Sequence, residues 1–382
     1  MRFQIALKVL LIAFIAGALF LAALMAASAL PVQDLAQYWA AAHLVTKNPY
    51  SVQLVGALEK ACAISTVSPP LVIKNPPWAI LFILPLGLLS YKTAFAVWTV
   101  FSILVLTGCA RAVWSLYKQP ESLAPVLLSL LFGPTIVLLM LGQWTILVLL
   151  GITLFVMLVE QRHDWLAGAS LLLVLGKPHV SLLFLFAVML WTIRSKRWAI
   201  LMSSSLALSV SSAVALAINP HIFAQFVDRS RLVVSETYPY PNLGGLLFAA
   251  SGHHMLALVP LLIGAVWFVL YWRRYRDVWS WKTNGMFVLL LSISSSYYSY
   301  PYDEILVLPA LIAAFATGDR RIFLMGFVTT NLAYAMYLFQ IAGNFGFGSL
   351  FLSWTATAWL LTYTLSQSRR SRAAQRAATT LN

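Results

Sequence analysis

The chain has 382 residues, of which 61% are hydrophobic and 9% are charged. An ordinary soluble domain is about 25% charged, so this composition excludes a soluble globular protein and indicates one that lies in a lipid bilayer. The formal net charge of +14 does not indicate a nucleic-acid partner, because the basic residues stand in short clusters between apolar runs.

Apolar segments of helical length recur along the whole chain, and a membrane-spanning helix needs about 20 such residues. The candidate helices are 9–30, 76–90, 92–113, 122–141, 143–160, 165–176, 178–193, 198–218, 254–272, 284–297, 304–317, 321–341 and 348–366. The lack of alternating patterns argues against a transmembrane barrel. We therefore predict an all-α, polytopic integral membrane protein with about 11–13 hydrophobic helices in a single domain, residues 1–382.

The first apolar segment, 9–30, has two interpretations. It follows a basic start and ends near Ala27-Ser28-Ala29, as a cleaved secretory signal would. Its length and its continuation into Asp34 favour an uncleaved first helix instead. Two stretches of mixed composition, 31–75 and 219–243, are predicted to form loops that carry interfacial helices.

The basic residues predict the orientation of the chain in the membrane. With the basic tail 367–382 in the cytoplasm, the inside carries 18 Lys and Arg and 5 Asp and Glu, against 7 and 6 outside. Lys and Arg concentrate in cytoplasmic loops, so this asymmetry supports the assignment. Both loops and the segment Tyr297–Glu304 then face the extracytoplasmic side of a multi-pass cell-membrane protein, such as one of a bacterial inner membrane.

Two apolar segments are interrupted. Segment 76–90 cannot span the membrane if this orientation holds, and its prolines favour a partial, re-entrant or interfacial element. That element would place Asn75 at the roof of a cavity near Asp34. The second interruption is Gly176-Lys177-Pro178-His179, where Pro178 cannot continue a helix normally.

Asp34 is the best candidate for a catalytic base. Residues 34–46 are predicted to form a helix along the membrane interface, with Asp34 near its N-cap. A carboxylate at the rim of a membrane helix is costly to place, which favours a functional role. Asp is also a favoured N-cap residue. The spacing leaves cap and base open, and the two roles are compatible.

Four basic side chains on the outer side could hold a phosphate group: Lys177, His179, Arg229 and Arg231. Each has a simpler interpretation. Lys177 could mark a helix end with its ammonium in water. The two arginines could contact lipid head groups, and His179 could be an interfacial polar residue.

Asp303 and Glu304 follow a stretch rich in Ser and Tyr that could be an aromatic belt. The two adjacent carboxylates could bind sugar hydroxyls or favour the positive end of a helix. The sequence has no phosphate-binding loop, dinucleotide fingerprint or zinc-protease motif, and paired metal-ligand carboxylates are not evident. We expect no metal and no cofactor.

Several short motifs occur in a recognisable order: Asp34-Leu-Ala-Gln-Tyr38-Trp, Asn48-Pro49-Tyr50, Asn75-Pro76-Pro77, Pro85-Leu86, Gly142-Gln143, Ala167-Gly168, Lys177-Pro178 and Pro301-Tyr302-Asp303. Over about residues 30 to 310 the chain resembles glycosyltransferase family 87 of the GT-C superfamily, which includes polyprenol-phosphate-mannose-dependent mannosyltransferases. Two departures concern the acceptor side: Asn75 replaces the usual Tyr, and Pro241–Gly245 only loosely matches an Asn-rich loop.

The resemblance implies a GT-C fold, a general base at Asp34 and a polyprenyl-phosphate sugar as donor, with a lipid or glycan acceptor. It also implies substrate contacts from Tyr38, Asn75 and Gln143. A transporter or flippase of lipid-linked sugars is the alternative function. The placement of nearly every charge at a segment end disfavours it, because coupled transporters carry ionisable groups near mid-membrane.

Overall fold

A computed structural model describes residues 34–62, 64, 70–233, 240–318, 320–343 and 349–366. Within these ranges the regular structure is helical and no strand is present, so the all-α prediction is confirmed there. The predicted first segment, 9–30, and the basic tail, 367–382, lie outside the described residues.

The described α-helices, in chain order, are α1 (Leu35–His43), α2 (Val52–Ala61), α3 (Pro77–Ile80), α4 (Tyr91–Leu116), α5 (Ala124–Leu130), α6 (Gly133–Leu141), α7 (Thr145–Glu160), α8 (Asp164–Val174), α9 (Leu182–Ser195), α10 (Trp198–Ile218), α11 (Ile222–Val233), α12 (Leu243–Ser251), α13 (Val259–Tyr275), α14 (Met286–Ser294), α15 (Leu308–Thr317), α16 (Arg320–Gly343) and α17 (355–366). Short 3-10 helices cover Leu84–Leu88, Pro178–Ser181, His254–Leu258, Pro301–Val307 and Ser349–Leu352, and a π-helical turn covers Trp281–Gly285.

Several helices are long and apolar enough to cross a bilayer. Among the described residues there are four: Tyr91–Leu116, Pro178–Ser195, Trp198–Ile218 and His254–Tyr275. A fifth span is formed if α5 and α6, which are bent by 58° at a break, count as one. The chain is therefore a multi-pass membrane protein. Fewer helices pass this test than the 11–13 hydrophobic helices predicted, because most of the others are short or interrupted; the GT-C arrangement stays a prediction.

The break between α5 and α6 is closed by a side chain from far along the chain. Asn331 on α16 donates a hydrogen bond to the Leu131 carbonyl at 2.9 Å and accepts one from the Gly133 amide at 2.8 Å. An irregular backbone at membrane depth needs such partners, since lipid offers none. Gly133 also allows close packing, because a Cβ there would lie 2.4 Å from the Cβ of Tyr334.

The chain divides into two compact units, which we describe separately. The described part of the first unit comprises residues from 34 to 105, Leu139–Trp144 and residues 208 to 233. The second comprises Leu106–Leu138, Thr145–Ala207 and the described residues from 240 to 366. The single domain predicted from the sequence stays a prediction.

In the first unit, α1 is enclosed by its neighbours. Seven of its nine residues are buried. The helix was predicted, and its burial follows from an apolar character on nearly every side. Its position along the membrane interface stays a prediction. Asn219 anchors its C-terminal end by donating hydrogen bonds to the carbonyls of Val45 and Lys47, at 2.9 and 3.0 Å.

Segment 76–90 is also in the first unit, and it forms two short pieces, α3 and Leu84–Leu88. Neither is long enough to span, as predicted for a partial element. The second piece packs against α1, where a Cβ on Gly87 would lie 2.9 Å from the backbone of Ala42.

The second unit contains a tight helical hairpin of α7 and α8 and a fully buried central helix, α14. In the hairpin, Gly151 lets the backbones approach, because a Cβ there would lie 2.9 Å from the Ser170 carbonyl oxygen. Small residues serve this purpose in membrane helix pairs. The predicted interruption near Gly176 is confirmed, because α8 ends at Val174 and a 3-10 helix starts at Pro178.

Candidate active site

Asp34 occupies the N-cap position of α1, with φ −63° and ψ −18°. Its side chain makes no capping hydrogen bond to the helix. The simple cap interpretation of this residue is therefore wrong, and the partly exposed carboxylate is engaged elsewhere.

The carboxylate of Asp34 is held by Gln143. The Gln143 Nε2 donates a hydrogen bond to Asp34 Oδ2, and the Tyr38 hydroxyl donates one to Gln143 Oε1 at 2.9 Å. Gln143 is 1% exposed and Tyr38 is 3% exposed. Because a primary amide has a donor side and an acceptor side, the Tyr38 bond turns the donor side of Gln143 towards Asp34. The carboxylate is thereby oriented by a buried chain of two side chains.

The turn before Gln143 depends on a glycine. Gly142 has φ +67°, a conformation that disfavours other residues, and a Cβ there would lie 2.8 Å from the Cβ of Leu35. The turn therefore presses directly against the first residue of α1. This contact sets the position of Gln143 relative to Asp34.

Aromatic rings pack at the Tyr38 end of this chain of hydrogen bonds. The Trp144 ring is fully buried and lies 6.3 Å from the Tyr38 ring and 6.1 Å from the Phe82 ring, centroid to centroid. The packing of Trp144 on Tyr38 helps to hold the phenol group that orients Gln143.

Glu59 is a second acid of this unit that the sequence did not single out. It lies on α2, is 2% exposed, and its Oε2 has no hydrogen-bond partner among the described residues. Burial raises the pKa of Glu59 from 4.5 to about 7. Tyr91 lies within electrostatic range of both Glu59 and Asp34. No signal in the sequence around residues 52–61 indicates that Glu59 is enclosed.

The second unit contains a buried ion pair. Lys177 Nζ lies 2.5 Å from Asp303 Oδ1 and 3.2 Å from Thr145 Oγ1, and the Thr145 hydroxyl donates to the same carboxylate oxygen at 2.6 Å. The side chains of Lys177 and Asp303 are 10% and 0% exposed. The ammonium also lies 4.7 Å from the centre of the Tyr302 ring. The interpretation of Lys177 as a helix-end marker with its ammonium in water is therefore wrong.

Comparison with known families identifies the chain. A family model described as glycosyltransferase family 87 matches residues 74–292, which is more than half of the sequence. The chain belongs to glycosyltransferase family 87. No curated protein and no solved structure matches it. The matched range contains Gln143 and Lys177 but neither Asp34 nor Asp303.

Membership of family 87 makes the chain a membrane glycosyltransferase, as the resemblance of its motifs predicted. An enzyme of this class acts on lipid or glycan substrates at a bilayer. Among the described residues of this glycosyltransferase, no group of three or more His, Cys, Asp or Glu could hold a metal ion.

The other predicted substrate contacts of the glycosyltransferase are dispersed. The Asn75 carbonyl accepts a hydrogen bond from the Tyr50 hydroxyl at 2.9 Å in the first unit. Arg231 on α11 is 78% exposed, and its guanidinium lies 3.9 Å from the carboxylate of Asp228. This exposure fits a lipid head group better than a buried phosphate. Arg229 lies on the same helix.

In the second unit, Asp303 and Glu304 belong to the buried 3-10 helix Pro301–Val307. Asp303 Oδ2 accepts a hydrogen bond from the Tyr300 amide at 3.0 Å, which supports the helix-start interpretation. Glu304 is 4% exposed and accepts a hydrogen bond from the Thr355 hydroxyl. The ring of His179 stacks on Tyr298 at 3.8 Å.

Proposed function

We propose that this glycosyltransferase moves a hexose, mannose being the first candidate, from a polyprenyl-phosphate donor to a lipid or glycan acceptor on the outer face of the membrane. Asp34 is the proposed base, and no metal or cofactor is required. The observation that carries the proposal is the carboxylate of Asp34, oriented by the buried side chains of Gln143 and Tyr38.

The proposed reaction is a single displacement. The acceptor hydroxyl oxygen attacks the anomeric carbon while its proton passes to the Asp34 carboxylate. The bond between that carbon and the phosphate oxygen breaks on the opposite side, so the configuration inverts and the phosphate leaves with the bonding electrons. An oriented carboxylate suits this role because general bases act through defined geometry at the moment of attack.

The lipid-linked donor follows from the proposed orientation of the chain. The charge distribution supports an orientation with Asp34 outside. Nucleotide sugars are absent there, so in this orientation the donor must arrive attached to a lipid. A monophosphate needs less neutralisation on leaving than a diphosphate, and hydrogen-bond donors and cations can supply it. Lys177 is one of the four basic residues predicted to bind the donor phosphate. Its charge is already opposed by Asp303, so it would act on a phosphate with less than a full positive charge.

A transporter or flippase of lipid-linked sugars is the alternative function. Membership of a glycosyltransferase family favours transfer over transport. The two functions differ in their product, since a flippase changes the side of the lipid and leaves the glycosidic bond intact.

The donor is tested with purified protein in proteoliposomes. Polyprenyl-phosphate mannose, polyprenyl-phosphate glucose and a nucleotide sugar, each labelled in the sugar, are offered with extracted envelope lipids and glycans as acceptors. We expect label to move to an acceptor from a polyprenyl-phosphate sugar only, with inverted anomeric configuration by NMR. Transfer from the nucleotide sugar alone, or a retained configuration, would contradict the proposal.

A further inference from the structure

Three tyrosines of the second unit form one cluster of partly exposed rings, which we call the tyrosine cluster: Tyr240, Tyr298 and Tyr300. The Tyr240 ring lies 5.2 Å from that of Tyr298 and 5.6 Å from that of Tyr300, with interplanar angles of 39° and 87°. Ring faces of different orientation are thus brought together from two stretches of chain about 60 residues apart.

The described segment that begins at Tyr240 is held by hydrogen bonds and close packing. Asn242 donates a hydrogen bond to the Ser296 carbonyl at 3.2 Å and accepts one from the Gly245 amide at 2.7 Å. A Cβ on Gly245 would lie 1.8 Å from the Tyr240 carbonyl oxygen, so only glycine fits there. A cluster held in this way binds without a large loss of conformational entropy.

Inner rings support the cluster from behind. His179 stacks on Tyr298 at 3.8 Å, and Tyr302 stacks on Tyr300 at 5.3 Å. Behind Tyr302 lies the ammonium of Lys177, whose charge is opposed by Asp303. Among the described residues, the ion pair at the base of the cluster is therefore neutral, and the cluster does not select a phosphate.

The cluster has features that an aromatic belt, which the sequence suggested for this stretch, does not require. Belt residues are amphipathic rings at the level of the lipid head groups. Here the rings contact one another at crossed angles and are held by hydrogen bonds of the Asn242 side chain. Rigid tyrosines of this kind are typical of binding surfaces, because they offer large contact area at low entropic cost.

The chemistry of the cluster fits a sugar ring. A pyranose has apolar C–H faces that pack on aromatic rings and a rim of hydroxyls that exchange hydrogen bonds with phenol groups. A prenyl chain would pack on the ring faces but could exchange no hydrogen bonds with the phenol groups, because it carries no polar atoms. We propose that the tyrosine cluster binds an uncharged sugar ring of the substrate. The proposal rests on the glycosyltransferase function but not on Asp34 as the base.

Saturation-transfer NMR on the full-length protein in detergent micelles tests this binding without turnover. The probes are methyl α-mannopyranoside, methyl α-glucopyranoside and, as the lipid-like alternative, geraniol. We expect saturation of the pyranoside ring protons by the unaltered protein and a signal about fivefold weaker for Tyr240→Ala and Tyr298→Ala. Tyr298→Phe keeps the ring and loses the hydroxyl, so its signal should lie between those of the unaltered protein and Tyr298→Ala.

Tyr275→Ala is the matched control, because Tyr275 is 37% exposed and lies in the same unit but outside the cluster. Thermal unfolding confirms that each variant folds; if an alanine variant does not, Tyr240→Leu replaces it with the same expectation. The proposal is overturned if neither glycoside is saturated by the unaltered protein, if the cluster variants match Tyr275→Ala, or if only geraniol responds.

The Asp34→Asn protein separates the two proposals. If it binds glycosides normally while transfer is lost, the tyrosine cluster and the base are independent. If Asp34→Asn transfers sugar normally and glycoside binding still depends on Tyr298, Asp34 is not the base. The proposal that the tyrosine cluster binds sugar is then unaffected.

Discussion

The side-chain amide of Gln143 donates a hydrogen bond to the carboxylate of Asp34 across 109 positions of sequence. One partner opens a short buried helix and the other follows a glycine turn at the end of α6. The orientation of the Asp34 carboxylate therefore depends on tertiary packing, because its hydrogen-bond partner is not part of α1. Changes at either side of this contact should therefore alter transfer more than stability.

Replacing Asp34 by Asn should reduce sugar transfer about 10³-fold or more, because an amide cannot accept the acceptor hydroxyl's proton. The unfolding temperature should change little, since Asn can still accept a hydrogen bond from Gln143. Asp228→Asn is the control, as Asp228 is 73% exposed on α11 of the same unit. Transfer by Asp34→Asn at the rate of the control would refute the assignment of the base.

Replacing Gln143 by Ala should lower the transfer rate about tenfold to a hundredfold and move the acid limb of the pH–rate profile to higher pH. A carboxylate that loses an N–H donor binds its proton more tightly. Gln225→Ala is the control, because Gln225 also forms tertiary hydrogen bonds in the first unit, donating to the Lys47 carbonyl and accepting from the Asn219 side chain. If the pH–rate profile of Gln143→Ala is not shifted, Gln143 does not affect the protonation of Asp34 and contributes only to packing.

Two glycines with positive φ provide a matched pair. Gly142→Ala and Gly252→Ala each place a side chain in the left-handed region, at φ +67° and +71°, which costs about 1–2 kcal/mol. A Cβ on Gly252 meets nothing within 4 Å, whereas one on Gly142 meets Leu35 beside Asp34. We expect both variants to melt at lower temperature and only Gly142→Ala to lose transfer activity. Equal activity in the two variants would argue against a role for this turn.

The ion pair of Lys177 and Asp303 is predicted to be important for stability. Lys177→Met should destabilise the protein by about 3 kcal/mol, because it leaves a buried carboxylate unpaired. The double variant Lys177→Met with Asp303→Asn should recover part of the loss, which detergent melting curves can measure. If Lys177 also contacts the donor phosphate, the double variant will regain stability while the apparent KM for the donor stays raised.

Glu59 should make stability depend on pH. Its pKa is raised from 4.5 to about 7 in the folded protein, so folding favours the protonated form. The stabilisation is fully present below about pH 4.5 and is lost as the pH rises through about 7. Glu59→Gln mimics the protonated state, so we expect its melting temperature to fall less than that of the unaltered protein between pH 5 and 8. Parallel melting profiles would show that Glu59 is not buried as described.

The sequence predicted the features that depend on local composition. The apolar segments, the interruption at Pro178 and the helix after Asp34 all follow from runs of residue types. Helices were predicted within the two loops of mixed composition, but the bounds of α2 and α11 were not. Ser51 at the N-cap of α2 is a usable signal, since its hydroxyl accepts a hydrogen bond from the Leu54 amide.

Contacts between distant residues could not be predicted. Lys177 and Asp303 were each named as candidates, but their pairing across 126 positions depends on how the helices of the second unit pack. The burial of Glu59 has the same origin, since nothing in its neighbouring residues indicates what covers it. Gln143 was found through the order of family motifs rather than from its own chemistry.

Asn331, whose side chain bonds the backbone at the break between α5 and α6, is synthesised late. Asn331 follows Leu131 by 200 positions and Gly133 by 198. A ribosome must therefore deliver most of the protein to the membrane before the two backbone groups at the bend obtain their native partner. Until then water, lipid head groups or the insertion machinery must satisfy them, so the bend is among the last parts of the second unit to reach its final form.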